Sequence, residues 1–219
     1  MEQLKKTPRI LRIKEKLFER IDINDTSQKS PLTASIHEFD SNNNLLSMRD
    51  PIGLFTYSYA YDSLGRIIMK VVSHNSRIDS RNVFSHDKRG NLVEELKYNK
   101  DGELMDTIKC KYDVNDYLVK KSKVSQVYII EEHFINDSKG RLLESRIEQE
   151  YIGRHGIKTY EPESVFYKYD EFGNMVEKTR KKVNGTEERT EYKYDEYGNW
   201  IIHFKRRLLT ERSIEYQRK

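Results

Sequence analysis

Six histidines, one cysteine, a recurring aspartate and several basic clusters are the residues of this 219-residue chain that could carry chemistry. The histidines stand at 37, 74, 86, 133, 155 and 203, and none belongs to a His-Glu-x-x-His helix. A Gly-x-Ser-x-Gly elbow, a Walker loop and a dinucleotide fingerprint are also absent from the sequence. His86 beside Asp87 has the form of a base with an orienting carboxylate, but it occupies a position that tyrosine fills in other copies of a repeat, which favours a structural role. Cys110 shares two-residue parity with Leu104, Ile108 and Tyr112, so it reads as a buried thiol rather than a nucleophile. A single cysteine excludes an intrachain disulfide framework and a multi-cysteine zinc site. The repeated aspartates could suggest calcium, yet such a site needs six to eight oxygens converging on one ion. Each turn here offers one aspartate, so turn capping is expected, with no metal and no cofactor.

Basic clusters occur at Lys120-Lys121, Lys178 to Lys182 and Lys205-Arg206-Arg207. Alternation along a strand would split each between two faces, and the formal net charge is only +4. No nucleic-acid partner is expected. Aromatic residues near turns are better candidates: Phe172 and Tyr197 at the third turn position, Tyr117 just after a turn and Trp200 just past one. Such rings could form a row that stacks on a sugar or grips a protein, or could pack over neighbouring turns. Arg154 and His155 belong to the longest irregular interval, 152–162, which is a further candidate binding loop.

These residues are placed by a repeat. An aromatic, an Asp or Asn, two variable residues and a Gly recur as Tyr61-Asp62-x-x-Gly65, Tyr98-Asn99-x-x-Gly102, Tyr169-Asp170-x-x-Gly173 and Tyr194-Asp195-x-x-Gly198. His86-Asp87-x-x-Gly90 and Asn136-Asp137-x-x-Gly140 replace the aromatic, while Phe39-Asp40-x-x-Asn43 and Tyr112-Asp113-x-x-Asp116 replace the glycine. The substitutes Asn and Asp are the residues that best tolerate positive φ after Gly. Each copy reads as a hairpin turn, with Asp or Asn accepting bonds from following amides and the fourth residue left-handed. Weaker turn signals lie between the strong ones, giving a turn every 10 to 15 residues or so and about fifteen short strands. Two-residue periodicity puts Tyr59 with Tyr61, Leu96 with Tyr98, Tyr167 with Tyr169 and Tyr192 with Tyr194 on one packed face, interrupted at Asp106. The opposite face is rich in Lys, Glu, Arg and Thr. The expected fold is therefore all-β, an antiparallel meander forming a long twisted sheet that curls on itself. Leu, Ile, Val and Phe together number 54 of 219 residues, a supply that suits one packed face and one wet face.

The copies Tyr61-Asp62-Ser63-Leu64-Gly65, Tyr169-Asp170-Glu171-Phe172-Gly173 and Tyr194-Asp195-Glu196-Tyr197-Gly198 resemble the YD repeats of bacterial RHS proteins. The resemblance spans about residues 36–205 and implies antiparallel hairpins, which in the large toxins wind into a shell around a toxin segment. The short stand-alone type is the better match in length, and one copy is too small to enclose a folded toxin domain. Arg49-Asp50-Pro51-Ile52-Gly53-Leu54 is similar to the self-cleaving element of the large toxins, but precedes most of the repeats; a proline-started turn is expected.

Residues 1–35 read as an N-terminal strand or short helix covering the first edge, and 36–219 as the repeat sheet, one domain overall. Ile10, Ile13, Leu17 and Ile21 fit a helical stripe, while Leu11, Ile13, Leu17 and Ile21 share strand parity with Glu15 and Glu19 intruding. No run approaches a membrane helix. With Met1 as the native start a cytoplasmic protein is expected; with an export signal upstream, a periplasmic or cell-envelope one. The function expected is a non-enzymatic binding or scaffold protein that holds a protein or glycan partner on a curved sheet. The alternative is an immunity-like or chaperone-like protein for an RHS-type toxin.

Overall fold

A computed structural model describes residues 9–20, 29–154, 156–205 and 208–217. All regular structure in it is antiparallel strand. In chain order the strands are β1 (Ile10–Arg20), β2 (Lys29–Phe39), β3 (Leu45–Asp50), β4 (Gly53–Tyr61), β5 (Ile67–His74), β6 (Arg77–His86), β7 (Leu92–Asn99) and β8 (Leu104–Tyr112). They continue as β9 (Leu118–Ser125), β10 (Tyr128–Asn136), β11 (Leu142–Gly153), β12 (Gly156–Tyr169), β13 (Met175–Lys182), β14 (Glu187–Tyr194), β15 (Trp200–Lys205) and β16 (Leu208–Tyr216). Each pairs with its sequence neighbours, and β1 also pairs with β16, closing a sixteen-stranded barrel. The segment that fitted two periods is thus a strand, flanked on both sides. It does not cover an edge; it removes one.

The turn chemistry is repeated almost without variation. In Asp40, Asp62, Asp87, Asp113, Asp137, Asp170 and Asp195, one carboxylate oxygen accepts the main-chain N–H groups two and four residues on, at 2.8–3.0 Å. Asn43 and Asp116, which stand where other copies have glycine, take φ of 61° and 65°. These carboxylates are engaged by amides: the Arg66 main-chain N–H holds Asp62 below the usual carboxylate range, and that of Arg141 does the same for Asp137.

Because the chain is a pure meander, alternate turns lie at opposite ends. The seven turns led by these aspartates share one end. The Tyr98-Asn99 turn, alike in sequence, lies at the other end with Asp50–Gly53, which is a simple turn with the Asp50 carboxylate accepting the Ile52 and Gly53 N–H groups. Hairpins at the aspartate end are linked sideways. Tyr59, Tyr112, Tyr169 and Tyr194 donate their hydroxyls to the carbonyls of Leu45, Leu92, Leu142 and Met175 at 2.7–2.9 Å, and Asn136 donates to that of Leu118 at 2.9 Å.

Strand parity separates two walls. On β14, Glu188, Thr190, Tyr192 and Tyr194 are buried or half-buried, while Glu187, Arg189, Glu191 and Lys193 are exposed. Cross-strand register carries the first set onto Tyr167 and Tyr169, Lys178, His203, Arg212, Glu15, His37 and Tyr57 and Tyr59. Burial raises the pKa of Tyr57, Tyr59, Tyr167, Tyr192 and Tyr194 and lowers that of Lys178, as expected for the side facing the rest of the protein. The other parity carries charge pairs, among them Arg12–Glu38 and Lys120–Glu131 at 2.7 Å and Lys168–Glu177 at 2.9 Å. There, ion-pair partners rather than burial hold Glu38, Glu131 and Glu177 low. The tyrosine-rich wall is the inner one. Leu96 and Tyr98 depart from the sequence expectation: register places them on the outer wall, with Arg81 over the Tyr98 ring. Their turn is at the opposite end, so the same motif falls in the other phase.

Few apolar side chains are fully buried. Only Ile13, Phe18, Val165 and Leu209 are buried apolar side chains among the described residues. The accessible surface is 15063 Å², against about 10,600 Å² for a compact monomer of this mass.

Candidate functional site

The inner wall is most richly furnished where the barrel closes. Three successive strand pairings, β15–β16–β1–β2, bring His203, Arg212, Glu15 and His37 onto one face. Arg212 Nε donates to Glu15 Oε2 at 2.8 Å, and its guanidinium lies 3.3 Å over the Trp200 ring. Trp200 and Tyr192 flank His203 with ring centroids 5.4 and 5.6 Å away, the first edge-on and the second stacked. On the far side of Glu15, His37 Nε2 is 2.8 Å from Ser35 Oγ. Burial pulls both histidines below the ordinary imidazole value; Glu15 opposes that shift and Arg212 adds to it. The arrangement is a fixed ion pair between two neutral imidazoles, backed by two aromatic rings. It can offer hydrogen bonds and ring edges to a polar ligand. Its carboxylate is already occupied by the arginine.

Elsewhere on this wall, Asp106 accepts from the Tyr128 hydroxyl at 2.9 Å and lies 3.2 Å from Lys123 Nζ. Cys110 is half-buried, and burial pushes its thiol pKa up, which keeps it protonated and unreactive. One group of described residues has the spacing to hold a metal ion, Glu131, His133 and Glu148 on the outer wall. Lys120 at 2.7 Å from Glu131 and Arg146 at 3.3 Å from Glu148 already supply cations there.

The residues singled out in the sequence fall in three places. Tyr117, Phe172, Tyr197 and Trp200 stand at the aspartate end, where the Tyr117 ring lies against Gly140 of the next turn and Tyr197 meets Tyr216 edge-on at 5.0 Å. Trp200 belongs to the closing cluster. Phe172 is 62% exposed and is the one free ring of the four. Arg154 is exposed at the opposite end, and His155 lies outside the described residues. The interval 152–162 around them is the tip and one arm of the long β11–β12 hairpin. Glu15, His37, His203 and Arg212 were not among the sequence candidates. The available signal was Glu15, an ionisable residue sharing parity with Ile13 and Leu17.

With this geometry in place, comparison with solved structures is informative. No family model and no curated protein matches the chain. A porin-like protein from Bacteroides uniformis is similar at 11% identity and a TM-score of 0.55, covering 98% of this chain and 100% of the other. The likeness is one of fold. Two Tc toxin structures also match. A TcdB2-TccC3 crystal structure has 13% identity, a TM-score of 0.38 and 78% coverage of this chain. A Photorhabdus luminescens Tc holotoxin pore has 13% identity, a TM-score of 0.20 and 90% coverage. This chain spans 10% and 14% of their lengths.

Proposed function

We propose that this chain is a non-enzymatic binding protein of the YD-repeat type that holds a protein or glycan partner against the inner wall of its barrel. The observation that supports the reading is the tyrosine-rich inner face: tyrosines 57, 59, 167, 192 and 194 line one wall of the closed sheet and are only partly buried. Tyrosine presents a large rigid ring at low entropic cost, which suits a recognition surface. A soluble barrel fits better than a membrane span, since lysines, arginines and glutamates occupy the outer wall and a lipid-facing wall needs an apolar band. A binding role is also favoured over catalysis by the closing cluster, whose one carboxylate is paired with Arg212.

The test is retention of a panel of bacterial cell-wall oligosaccharides and unfolded polypeptides by the purified protein and by wall variants. Tyr57→Ala and Tyr167→Ala should weaken retention at least tenfold, while the outer-wall variant Tyr98→Ala should bind as the parent does. Equal loss from both walls, or none from either, would refute the inner-wall reading.

A further inference from the structure

Closure removes sheet edges only where neighbouring strands are equally long. β12 begins at Gly156, but β13 meets it only from Glu163, opposite Lys182. Residues 156–162 therefore have β11 on one side and no described strand on the other, and residues 156 to 161 are all exposed. β2 has a similar stretch ahead of Ile36, where β3 joins, but Pro31 interrupts it by removing a donor. In β12 the run Gly156-Ile157-Lys158-Thr159-Tyr160-Glu161 is unbroken.

The direction of its main-chain groups follows from the ladder. Ile152 gives its N–H to Val127 on the β10 side at 2.8 Å. Alternation then turns Tyr151 and Gln149 toward β12, where Lys158 and Tyr160 are their partners. Ile157 and Thr159 are left with N–H and C=O pointing away from β11 into solvent. At the base of this edge lies a cavity of about 290 Å³, where Ile147, Tyr160 and Val183 form an apolar part beside Gln149, Glu161, Asn184 and the Glu163–Lys182 pair. Val183 is 63% exposed. Lys158 has its ammonium over the Tyr160 ring and is in no ion pair among the described residues.

We infer that this edge is a strand-addition site for an extended peptide segment, which places an apolar side chain in the cavity and an acidic one opposite Lys158. The chemistry of the edge selects the class of partner. Alternating N–H and C=O groups at strand spacing are matched by another polypeptide and not by a glycan. The cavity supplies the pocket for an alternate side chain, and an acidic residue opposite a lysine is a favourable cross-strand pair. The cavity opens on the same face as Tyr167, whereas the edge itself offers the main-chain groups of Ile157 and Thr159, so Thr159→Pro and Tyr57→Ala distinguish the two readings.

The experiment is a differential selection with a displayed library of random octapeptides on the full-length protein and on Thr159→Pro. Proline at this position removes a donor that faces solvent and leaves the β11 ladder intact. Peptides enriched on the parent should carry an apolar and an acidic residue two positions apart, on one face of the added strand, and bind Thr159→Pro at least tenfold more weakly. In the parent they should slow exchange of the Ile157 and Thr159 amides at least tenfold, with the circular dichroism and melting temperature of the variant unchanged. Tyr57→Ala should leave this binding intact. Enrichment that is equal on both proteins, absence of enrichment, or no protection of those two amides overturns the proposal. So does concentration-dependent protection without peptide, which would make the occupant a second copy of the chain. If Thr159→Pro fails to fold, Lys158→Glu replaces it, with a shift of the enriched set from acidic to basic residues expected and an unchanged set refuting.

Discussion

Removing the hydroxyl of Tyr169 should cost stability through one sideways link, and the repeat allows the same link to be removed four times. Tyr169→Phe deletes the 2.9 Å bond to the Leu142 carbonyl and leaves the ring in place. A hydrogen bond of this kind contributes about 0.5–1.5 kcal/mol net, and the lower half applies where water can reach the released acceptor at the rim, so about 0.5–1 kcal/mol is expected. Tyr59, Tyr112 and Tyr194 make the equivalent bonds, and no two share a donor or an acceptor. Their effects should add, giving roughly 2–4 kcal/mol for the quadruple phenylalanine variant by urea denaturation. At about 2–4 °C per kcal/mol for a domain of this size, it should melt roughly 4–16 °C lower. Tyr57→Phe and Tyr192→Phe are the controls, because those hydroxyls make no bond to the main chain; each should change stability by less than about 0.5 kcal/mol. Equal losses from linked and control tyrosines would show that the rim bonds contribute nothing. Since β1 is paired with both β2 and β16, all variants should shift one cooperative transition; separate transitions would mean that the hairpins unfold one by one as in open repeat arrays.

Gly140→Ala should destabilise more than Gly90→Ala, because both positions have positive φ but only at Gly140 would a methyl meet the Tyr117 ring; thermal melting compares them. Stability should fall as pH drops below the ordinary histidine value of about 6.5. His37 and His203 have folded pKa values lowered by burial, so the unfolded chain binds more protons in that window and the loss is complete below the folded values. The double variant His37→Gln/His203→Gln should flatten that part of a denaturation-versus-pH curve. A second loss should begin as the pH enters the usual aspartate range, where the unfolded chain takes up protons first, and be complete once the lowered carboxyls of Asp62 and Asp137 protonate and release their turn amides. Arg212→Ala should alter the emission of Trp200, the only tryptophan, by uncovering its ring. Cys110 should react with a thiol reagent at least tenfold more slowly in the native protein than in urea.

The turns were legible residue by residue, including those without glycine, because an aspartate cap and a residue tolerant of positive φ are local requirements. Closure was not. A two-residue period says which residues share a face of one strand, but it is the same whether the neighbour lies 20 or 200 positions away. The pairing of Glu15 with Arg212 joins residues 197 positions apart. The same limit explains Tyr98: its motif fixes a turn, while the wall on which the ring lands depends on how many hairpins precede it.

The closing cluster nevertheless left a trace in the pattern. Of the acidic residues that break otherwise apolar parity, Glu15 and Asp106 lie on the inner wall. Each is met there by a basic residue from an adjoining strand, Arg212 for Glu15 and Lys123 for Asp106. An acid at an inner position would carry a steep desolvation penalty if the barrel were packed solid and the acid left unpaired. Here a cation stands across each. The two interruptions mark where the inner face is polar. Asp106→Leu tests this directly. If the wall is wet and the pair is local, the variant should fold with a change of less than about 1 kcal/mol and lower the pKa of Lys123, which, against the pull of burial, Tyr128 and Asp106 now raise. A loss of about 3–5 kcal/mol, the cost of stranding one partner of a buried pair, would instead place the two charges in a dry interior and remove the accessible inner surface on which the binding function rests.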